Sequence, residues 1–454
     1  MSAAQRIHDF LAIGVGPFNL SLACLTSTIA GLDGIFVDQN PEFDWHPGVM
    51  FDDAHLQTPF LSDLVTLADP THPLSFLNYI KRQGRIYSFY IREDFFLLRR
   101  EYNRYCRWAA AQLGSIRWNT RVEAIRYDEP GGCYEVSTRD VRSGAPVTYR
   151  AARLVLGTGP APWWPTCCEA EIRKAAHVHH AGDYLNRHEA LKRLRQITVV
   201  GSGQSAAEIF VDLLQGIERH DYTLNWVTRS PRFVPLEYTK LTLEMTSPEY
   251  VRYFHALPSR TRDTLIASQT NLYKGINGSL INDIHELLYQ KRLVMDARGE
   301  DLGQRVRLFT NSELRGLVRV GGELQLSLHH TEQGCDYVLG TDGLILATGY
   351  RYTPPAFLAG IAGRIRFDTA GRFAVAQNYT IDRAGEEIFV QNAELHTHGF
   401  VTPDLGMACY RNSHIIRAMT GVEHYPIEER IAFQEFGVPG DLATPSRALD
   451  RVAS

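Results

Sequence analysis

Ile13-Gly14-Val15-Gly16-Pro17-Phe18-Asn19-Leu20 and Val199-Val200-Gly201-Ser202-Gly203-Gln204-Ser205-Ala206-Ala207 are the two stretches that decide the fold of this chain. Each follows a short apolar run and opens a segment that reads as a helix. In a strand–loop–helix of this kind the glycines let the backbone turn tightly and approach a pyrophosphate. The N–H groups at the helix terminus then meet its negative charge. In the first loop Asn19 stands where the third glycine of the pattern would be. Two such loops imply two nucleotide cofactors, and two cofactors imply electron transfer between them.

Working outward, Phe10–Ile13 reads as a buried strand, Phe18 to Ala30 as a helix, and Gly34 to Asp38 as the next strand, ending in an acid. Asp38 lies at the distance where a carboxylate accepts a hydrogen bond from a ribose hydroxyl. The second unit runs through Leu224-Asn225-Trp226-Val227-Thr228 into Arg229, with no acid at the ribose position. A cation there favours a 2′-phosphate, so NADPH over NADH. Trp45 to Pro73, rich in Pro, Asp and His, reads as an extended loop over a site. Arg99 to Leu113 has helical spacing, with Tyr102, Tyr105, Cys106 and Ala109 on a core face. Ser115 to Asp140 alternates as strands about a turn at Pro130-Gly131-Gly132. Arg153 to Gly159 is a buried strand ending in a glycine turn, and the proline-rich run Pro160 to Pro165 suits a domain crossing. Val338 to Thr348 returns to strand character, and Ala347-Thr348-Gly349-Tyr350 repeats the earlier turn.

The predicted architecture is α/β, with two Rossmann-like dinucleotide-binding domains and a small, mostly helical insertion. Residues 1–165 form the first part of one nucleotide domain. Residues 166–235 and 300–338 form the second domain, with 236–299 inserted into it. Residues 339–454 return to complete the first domain, ending in a loose tail from about Pro445 to Ser454.

Composition narrows the function classes. A chain of 454 residues is long enough for two or three domains, and 44% hydrophobic with 22% charged residues is globular. A net charge of -4 provides no basic field for nucleic acid. The N-terminus lacks a signal-peptide pattern, and no uninterrupted run of about 18–20 apolar residues exists to span a membrane. The seven cysteines follow neither C-x-x-C nor zinc spacing, which argues for reduced thiols, a cytoplasmic protein and no metal.

With these residues in view, the chain resembles the bacterial N-hydroxylating flavin monooxygenases of siderophore biosynthesis: the lysine, ornithine and diamine N-hydroxylases. The resemblance covers almost the whole chain. It is carried by Gly14 to Leu20 (Asn19 included), Trp45-His46-Pro47-Gly48, and Gln57-Thr58-Pro59-Phe60-Leu61-Ser62-Asp63-Leu64-Val65. It continues through Gly201 to Glu208, Ala347-Thr348-Gly349-Tyr350 and His396-Thr397-His398-Gly399.

The resemblance implies FAD on Gly14, Gly16, Pro17, Phe18, Asn19 and Asp38, and NADPH on Gly201, Gly203, Gln204, Ser205 and Arg229. Trp45, His46 and Gln57 would lie along the flavin, with Gln57 at its reactive edge and Thr348, Gly349 and Tyr350 in the cofactor shell. NADPH would reduce the flavin, oxygen would add to it as a C4a-hydroperoxide, and a neutral amine would attack the distal oxygen. A water-poor wall, for which Phe60, Phe76, Tyr79 and Tyr273 are candidates, would keep the amine neutral. The resemblance also implies an oligomer, often a tetramer.

The chain departs from the family pattern at one telling place. Ornithine and lysine hydroxylases usually read Phe-Leu-Lys-Asp-Leu-Val after the glutamine, and that lysine binds the substrate carboxylate. Here the position is Ser62. A serine leaves a buried carboxylate unpaired, which is costly. The expected substrate is therefore a diamine such as putrescine, cadaverine or diaminopropane. Ser62, Asn271 and Asp404 are the candidate substrate residues, Asp404 for the distal ammonium. Lys81 or Arg82 would replace the missing lysine only if the fold brings them in. The alternatives are a lysine or ornithine hydroxylase, a carbon- or sulfur-oxygenating flavoenzyme, a disulfide oxidoreductase (opposed by the missing C-x-x-C) and a non-catalytic flavin sensor.

Overall fold

The computed structural model describes residues 6–172, 174–440 and 442. Two parallel sheets organise them. The first has five strands in the order Ile388–Val390, Leu154–Leu156, Phe10–Ile13, Gly34–Val37, Ile116–Arg117. Its three central strands are buried along nearly their whole length, because helices and a β-meander cover both faces. The second has the order Val178–His180, Gly343–Leu346, Gln196–Val200, Thr223–Val227, Val306–Phe309. Each sheet carries a three-stranded antiparallel meander: Thr120–Asp128, Cys133–Asp140 and Pro146–Ala151 on the first unit, Ser312–Val320, Glu323–His330 and Cys335–Thr341 on the second. The fold class is the expected one, two Rossmann-like units.

Two predicted boundaries move. Gly343–Leu346 was assigned to the returning segment that begins at 339, but it pairs in parallel with both Val178–His180 and Gln196–Val200. It is a strand of the second unit, and the return to the first begins only after Leu346. The helix Gly278–Asp296 was placed in the insertion of 236–299. Its Ile284 and Met295 instead join the core of the second unit, with Leu213 and Leu214. The parallel neighbours Thr223–Val227 and Val306–Phe309 need a crossover, and this helix provides it. The insertion itself is the stretch before it, with helices Lys240–Leu243, Pro248–Ala256 and Ser259–Ser268. The predicted tail from Pro445 to Ser454 lies outside the described residues.

The two chain crossings between the units pair with each other, Ala161 opposite Arg351 and Pro162 opposite Tyr350. The C-terminal helix Ala408–Thr420 packs on the first glycine-loop helix, Pro17–Thr26, where Asn412 Nδ2 donates to Phe18 O and to Ser21 Oγ. Residues 429–436 then lie over the insertion: Glu249 accepts the N–H groups of Ile431 and Ala432, and Glu244 those of Phe433 and Gln434. Among the described residues no helix is long and apolar enough to cross a membrane.

Asn19 ties the first unit together. Fully buried, it donates to Gly14 O at 2.6 Å and accepts from Gln391 Nε2 at 2.6 Å, joining the glycine loop to the returning segment. Asn19→Ala would orphan these buried groups. A loss of about 2–3 kcal/mol in unfolding free energy is expected, to be read from urea denaturation.

Candidate functional site

The two glycine loops have the shape a dinucleotide requires. Gly14 has φ +84, and a Cβ there would stand 2.5 Å from Gly157 O; Gly201 has φ +148, and its Cβ would stand 2.3 Å from Ala347 O. Each first glycine therefore lets its loop press against the neighbouring strand turn. Around Gly16, by contrast, a Cβ would meet nothing within 4 Å, and at Gly203 only Lys274 O, at 3.6 Å. These second glycines face open space at helix N-termini, as backbone approach to a pyrophosphate demands. Pro17 opens its helix at the first turn, where no N–H is needed. Phe18 lies beneath the guanidinium of Arg411, 4.7 Å from the ring centroid.

Several expected cofactor residues have protein partners. Asn19 is directed entirely inward, so its part is to hold the loop. Asp38 accepts Val15 N–H at 2.6 Å and Asn40 N–H at 2.8 Å, bracing the loop from the next strand, with lone pairs left for a further donor. Thr348 Oγ1 donates to Trp163 O, fastening the two crossings together. Gly349, at φ +83, leaves its outer side open. Ser205 is half-buried at the start of the second loop helix, and Arg229 is exposed with no ion pair among the described residues. Lys274, beside Arg229, has its ammonium pKa lowered by crowding and by that neighbouring charge.

Trp45, His46 and Tyr350 form an aromatic wall where the units meet. The ring centroids lie 5.1 Å apart for Trp45 and His46, and 5.9 Å for His46 and Tyr350. His46 has a left-handed backbone, φ 50, uncommon for a side-chain-bearing residue. The turn fits because Gly48 packs so closely on the second unit that a Cβ would sit against Gly182 O. His46 is open to solvent yet ringed by protein. That crowding, with Arg99 nearby, lowers its pKa to about 4, so the imidazole is neutral at pH 7.

Gln57 sits on the strand His55–Pro59, facing away from the core that buries Leu56. Its Nε2 donates to Asn277 Oδ1 at 3.0 Å and reaches Gly275 O at 3.5 Å. The segment carrying those acceptors is pinned to residues 234–237: Ile276 N–H donates to Val234 O, Leu236 N–H to Ile276 O and Glu237 N–H to Asn271 O. Gly275 is obligatory there, since a Cβ would crowd Leu236 N. From the other side Gln204 accepts Asn277 N–H at 2.9 Å and donates to Glu208, which holds Arg99 through bonds of 2.6 and 2.8 Å. Asn277, Glu208 and Arg99 escaped the sequence reading. Glu208 lies inside a quoted motif, but its partner is 109 positions away, and Asn277 lies in no motif.

Ser62 is buried next to Gly406, whose Cβ would stand 3.2 Å from Ser62 Oγ and 3.3 Å from Asp404 Oδ1. The fold thus brings Ser62 and Asp404 together. Asp404 accepts Gly406 N–H at 2.8 Å and has no ion pair among the described residues. Burial raises its pKa, and Tyr238 feels its charge. Arg411 holds this segment by donating to Thr402 O at 2.7 Å, while its Nε lies 3.0 Å from Glu394 in a wholly buried pair. Asn271 is half-buried, and its carbonyl accepts Glu237 N–H at 3.0 Å. The rings of Tyr273 and Phe400 lie 5.7 Å apart, in a hydrophobic cluster with Tyr250 and Phe254. Of the other predicted wall residues, Phe76 and Tyr79 are core, packed on Tyr105, and Phe60 packs between Phe89 and Phe95. Lys81 and Arg82 are exposed at the end of a helix, Arg82 over Trp108, and do not replace the missing lysine.

Residues 6–352 match the model of the L-lysine 6-monooxygenase/L-ornithine 5-monooxygenase family. A putrescine N-hydroxylase of Shewanella oneidensis is 51% identical over 445 residues, covering 98% of this chain and 86% of that protein. The crystal structure of DfoA bound to FAD, a cadaverine monooxygenase of desferrioxamine biosynthesis in Erwinia amylovora, is 57% identical. It superposes with a TM-score of 0.92, covering 96% of this chain and all of that one. The ornithine N-hydroxylase KtzI of Kutzneria sp. 744, with reduced FAD, NADP+ and L-ornithine, is 26% identical, with a TM-score of 0.81 over 91% of this chain and 99% of that one.

Two outcomes follow from the geometry. Arg99→Met leaves Glu208 buried and unpaired, and is expected to cost about 3–5 kcal/mol by chemical denaturation. His414, half-buried, is held at about 4 by burial, against 6.5 when unfolded. Between those values the unfolded chain binds the extra proton, so this contribution is full above pH 6.5 and is lost as pH falls toward 4. Urea midpoints at pH 7.5 and 5 should therefore fall less for His414→Leu than for wild type.

Proposed function

This chain belongs to the L-lysine 6-monooxygenase/L-ornithine 5-monooxygenase family, and from that premise we propose that it N-hydroxylates one primary amine of a short aliphatic diamine. Putrescine, cadaverine and diaminopropane are the candidates. NADPH, FAD and molecular oxygen are the co-reactants, and a hydroxamate siderophore is the destination of the product. The observation that carries this reading is the pairing of buried Ser62 with Asp404, where a carboxylate-binding lysine is absent. Two relatives above half identity are named a putrescine N-hydroxylase and a cadaverine monooxygenase, which supports it.

Bound FAD, reduced by NADPH, would activate molecular oxygen, one atom of which goes to the amine and the other to water. The first loop (Gly14, Gly16, Pro17, Phe18) holds its pyrophosphate, with Asp38 at the ribose and Trp45, His46, Gly349 and Tyr350 around it. The second loop (Gly201, Gly203, Ser205) holds NADPH, with Arg229 at the 2′-phosphate. Asp404 takes the distal ammonium, Ser62 lines the stem of the diamine, and Asn271 borders the pocket. The two ends of the substrate thereby meet opposite environments. A free alkylamine has a pKa of about 10.4. A carboxylate keeps one end charged, whereas the aromatic side formed by Tyr273 and Phe400 disfavours the ammonium at the other. The reacting nitrogen is thus freed of its proton. We take the enzyme to act in the cytoplasm as a homo-oligomer, a tetramer. The exposed apolar helix Ile86–Arg92, with Tyr87, Tyr90 and Ile91, supports self-association.

The test is hydroxylamine formed per NADPH oxidised, measured across the three diamines, ornithine and lysine. Diamines are expected to give the highest kcat/KM. Efficient turnover of lysine or ornithine with inert diamines sinks the proposal, as does a colourless protein that consumes no NADPH with FAD added. Asp404→Asn should raise the diamine KM by about tenfold or more, the loss expected for one charge-assisted hydrogen bond. Ser62→Lys should weaken diamine turnover.

A further inference from the structure

Gln57 lies at one end of a hydrogen-bonded chain that runs from Arg99 through Glu208 and Gln204 to the backbone of Asn277. Arg99 can only donate and Glu208, paired with it, can only accept. The amide nitrogen of Gln204 must therefore face Glu208, at 2.8 Å, and its oxygen must face Asn277 N–H, at 2.9 Å. A backbone N–H can only donate, so both faces of Gln204 agree. Gln204 thus holds the backbone of Asn277, whose side-chain Oδ1 lies 3.0 Å from Gln57 Nε2. The carbonyl of Gly275, a group that only accepts, lies on the same side at 3.5 Å. Both acceptors draw the nitrogen of Gln57 toward the 275–277 segment, so its Oε1 points the other way.

That polarity matters to the reaction proposed above, on which this inference rests. A neutral primary amine has two N–H donors and one lone pair, and the lone pair is the nucleophile. An amide oxygen accepts an N–H and leaves the lone pair free. An amide NH2 in the same place would donate to the lone pair and mask it. A free glutamine side chain interconverts these two states by a half-turn of its terminal torsion. We propose that Asn277 is a positioning residue that, with the Gly275 carbonyl, prevents this flip while Gln204 holds the backbone that carries it, so that Gln57 Oε1 accepts an N–H of the reacting amine and aims its lone pair.

The proposal is tested on FAD-loaded N277L, which removes the acceptor, and N277D, which keeps it, each also combined with Q57L. Three quantities are read: hydroxylamine formed per NADPH oxidised, calorimetric affinity of the oxidised enzyme for putrescine, and Tm. N277L should lower the coupling ratio and the affinity by up to about tenfold, the scale of one lost hydrogen bond, while N277D retains most of both. In the Q57L background N277L should add nothing, because it acts through Gln57. An unchanged N277L overturns the proposal, as does an equal loss in N277D, or a loss that persists in the Q57L background. A wild-type protein that binds putrescine but never hydroxylates a diamine overturns the proposed reaction instead. In that case the affinities of the same variants still decide the relay.

Discussion

The ion pair between Arg99 and Glu208 is the constraint on which the arrangement of the site depends. Arg99 begins a helix of the first nucleotide unit, and Glu208 lies one turn into the glycine-loop helix of the second. Both are largely withdrawn from solvent, with side chains 12% and 7% exposed. Such a pair contributes little net stability compared with apolar packing, but separating its members is expensive. Its value is therefore positional, since the units can meet in few ways without stranding a charge. Once they meet, Gln204, Asn277 and Gln57 follow by hydrogen bonds.

The candidate substrate residues stand on a different layer. Asp404 sits on a segment held by the buried Arg411–Glu394 pair, so its carboxylate is fixed by a charged network that never reaches solvent. Ser62 is presented by a loop that Asp63 organises, accepting N–H bonds from Val65, Thr66 and Phe76. The two candidate substrate groups thus each stand on a stiff base.

Much of this was legible in the sequence where the signal is local. The glycine loops, the strands before them and the acid at Asp38 are close neighbours in the chain, and their spacing reflects backbone geometry directly. Ser62 and Asp404 could be named from the sequence only as candidates, and their proximity was not legible. The misread parts share one cause, dependence on partners far away. Gly343–Leu346 is an ordinary apolar run whose sheet is decided by Val178–His180 and Gln196–Val200. Gly278–Asp296 looks like any surface helix until the strands it connects are known. Phe76 and Tyr79 are aromatic residues near a site motif, but Tyr105 claims them for the core. Asn277 carries no pattern because its role depends on Gln57, 220 positions earlier.

The paired crossings at Ala161–Pro162 and Tyr350–Arg351 have a consequence for folding. Their ends lie side by side, so to the first unit the whole of the second amounts to a closed loop with no span to bridge. Closure entropy grows only with the logarithm of loop length. A folded second unit, with its termini already zipped, shrinks that loop to a few residues. The strands Leu154–Leu156 and Ile388–Val390, more than 230 positions apart, would then find each other as if they were sequence neighbours. The second unit thereby shortens the closure that joins the two halves of the first.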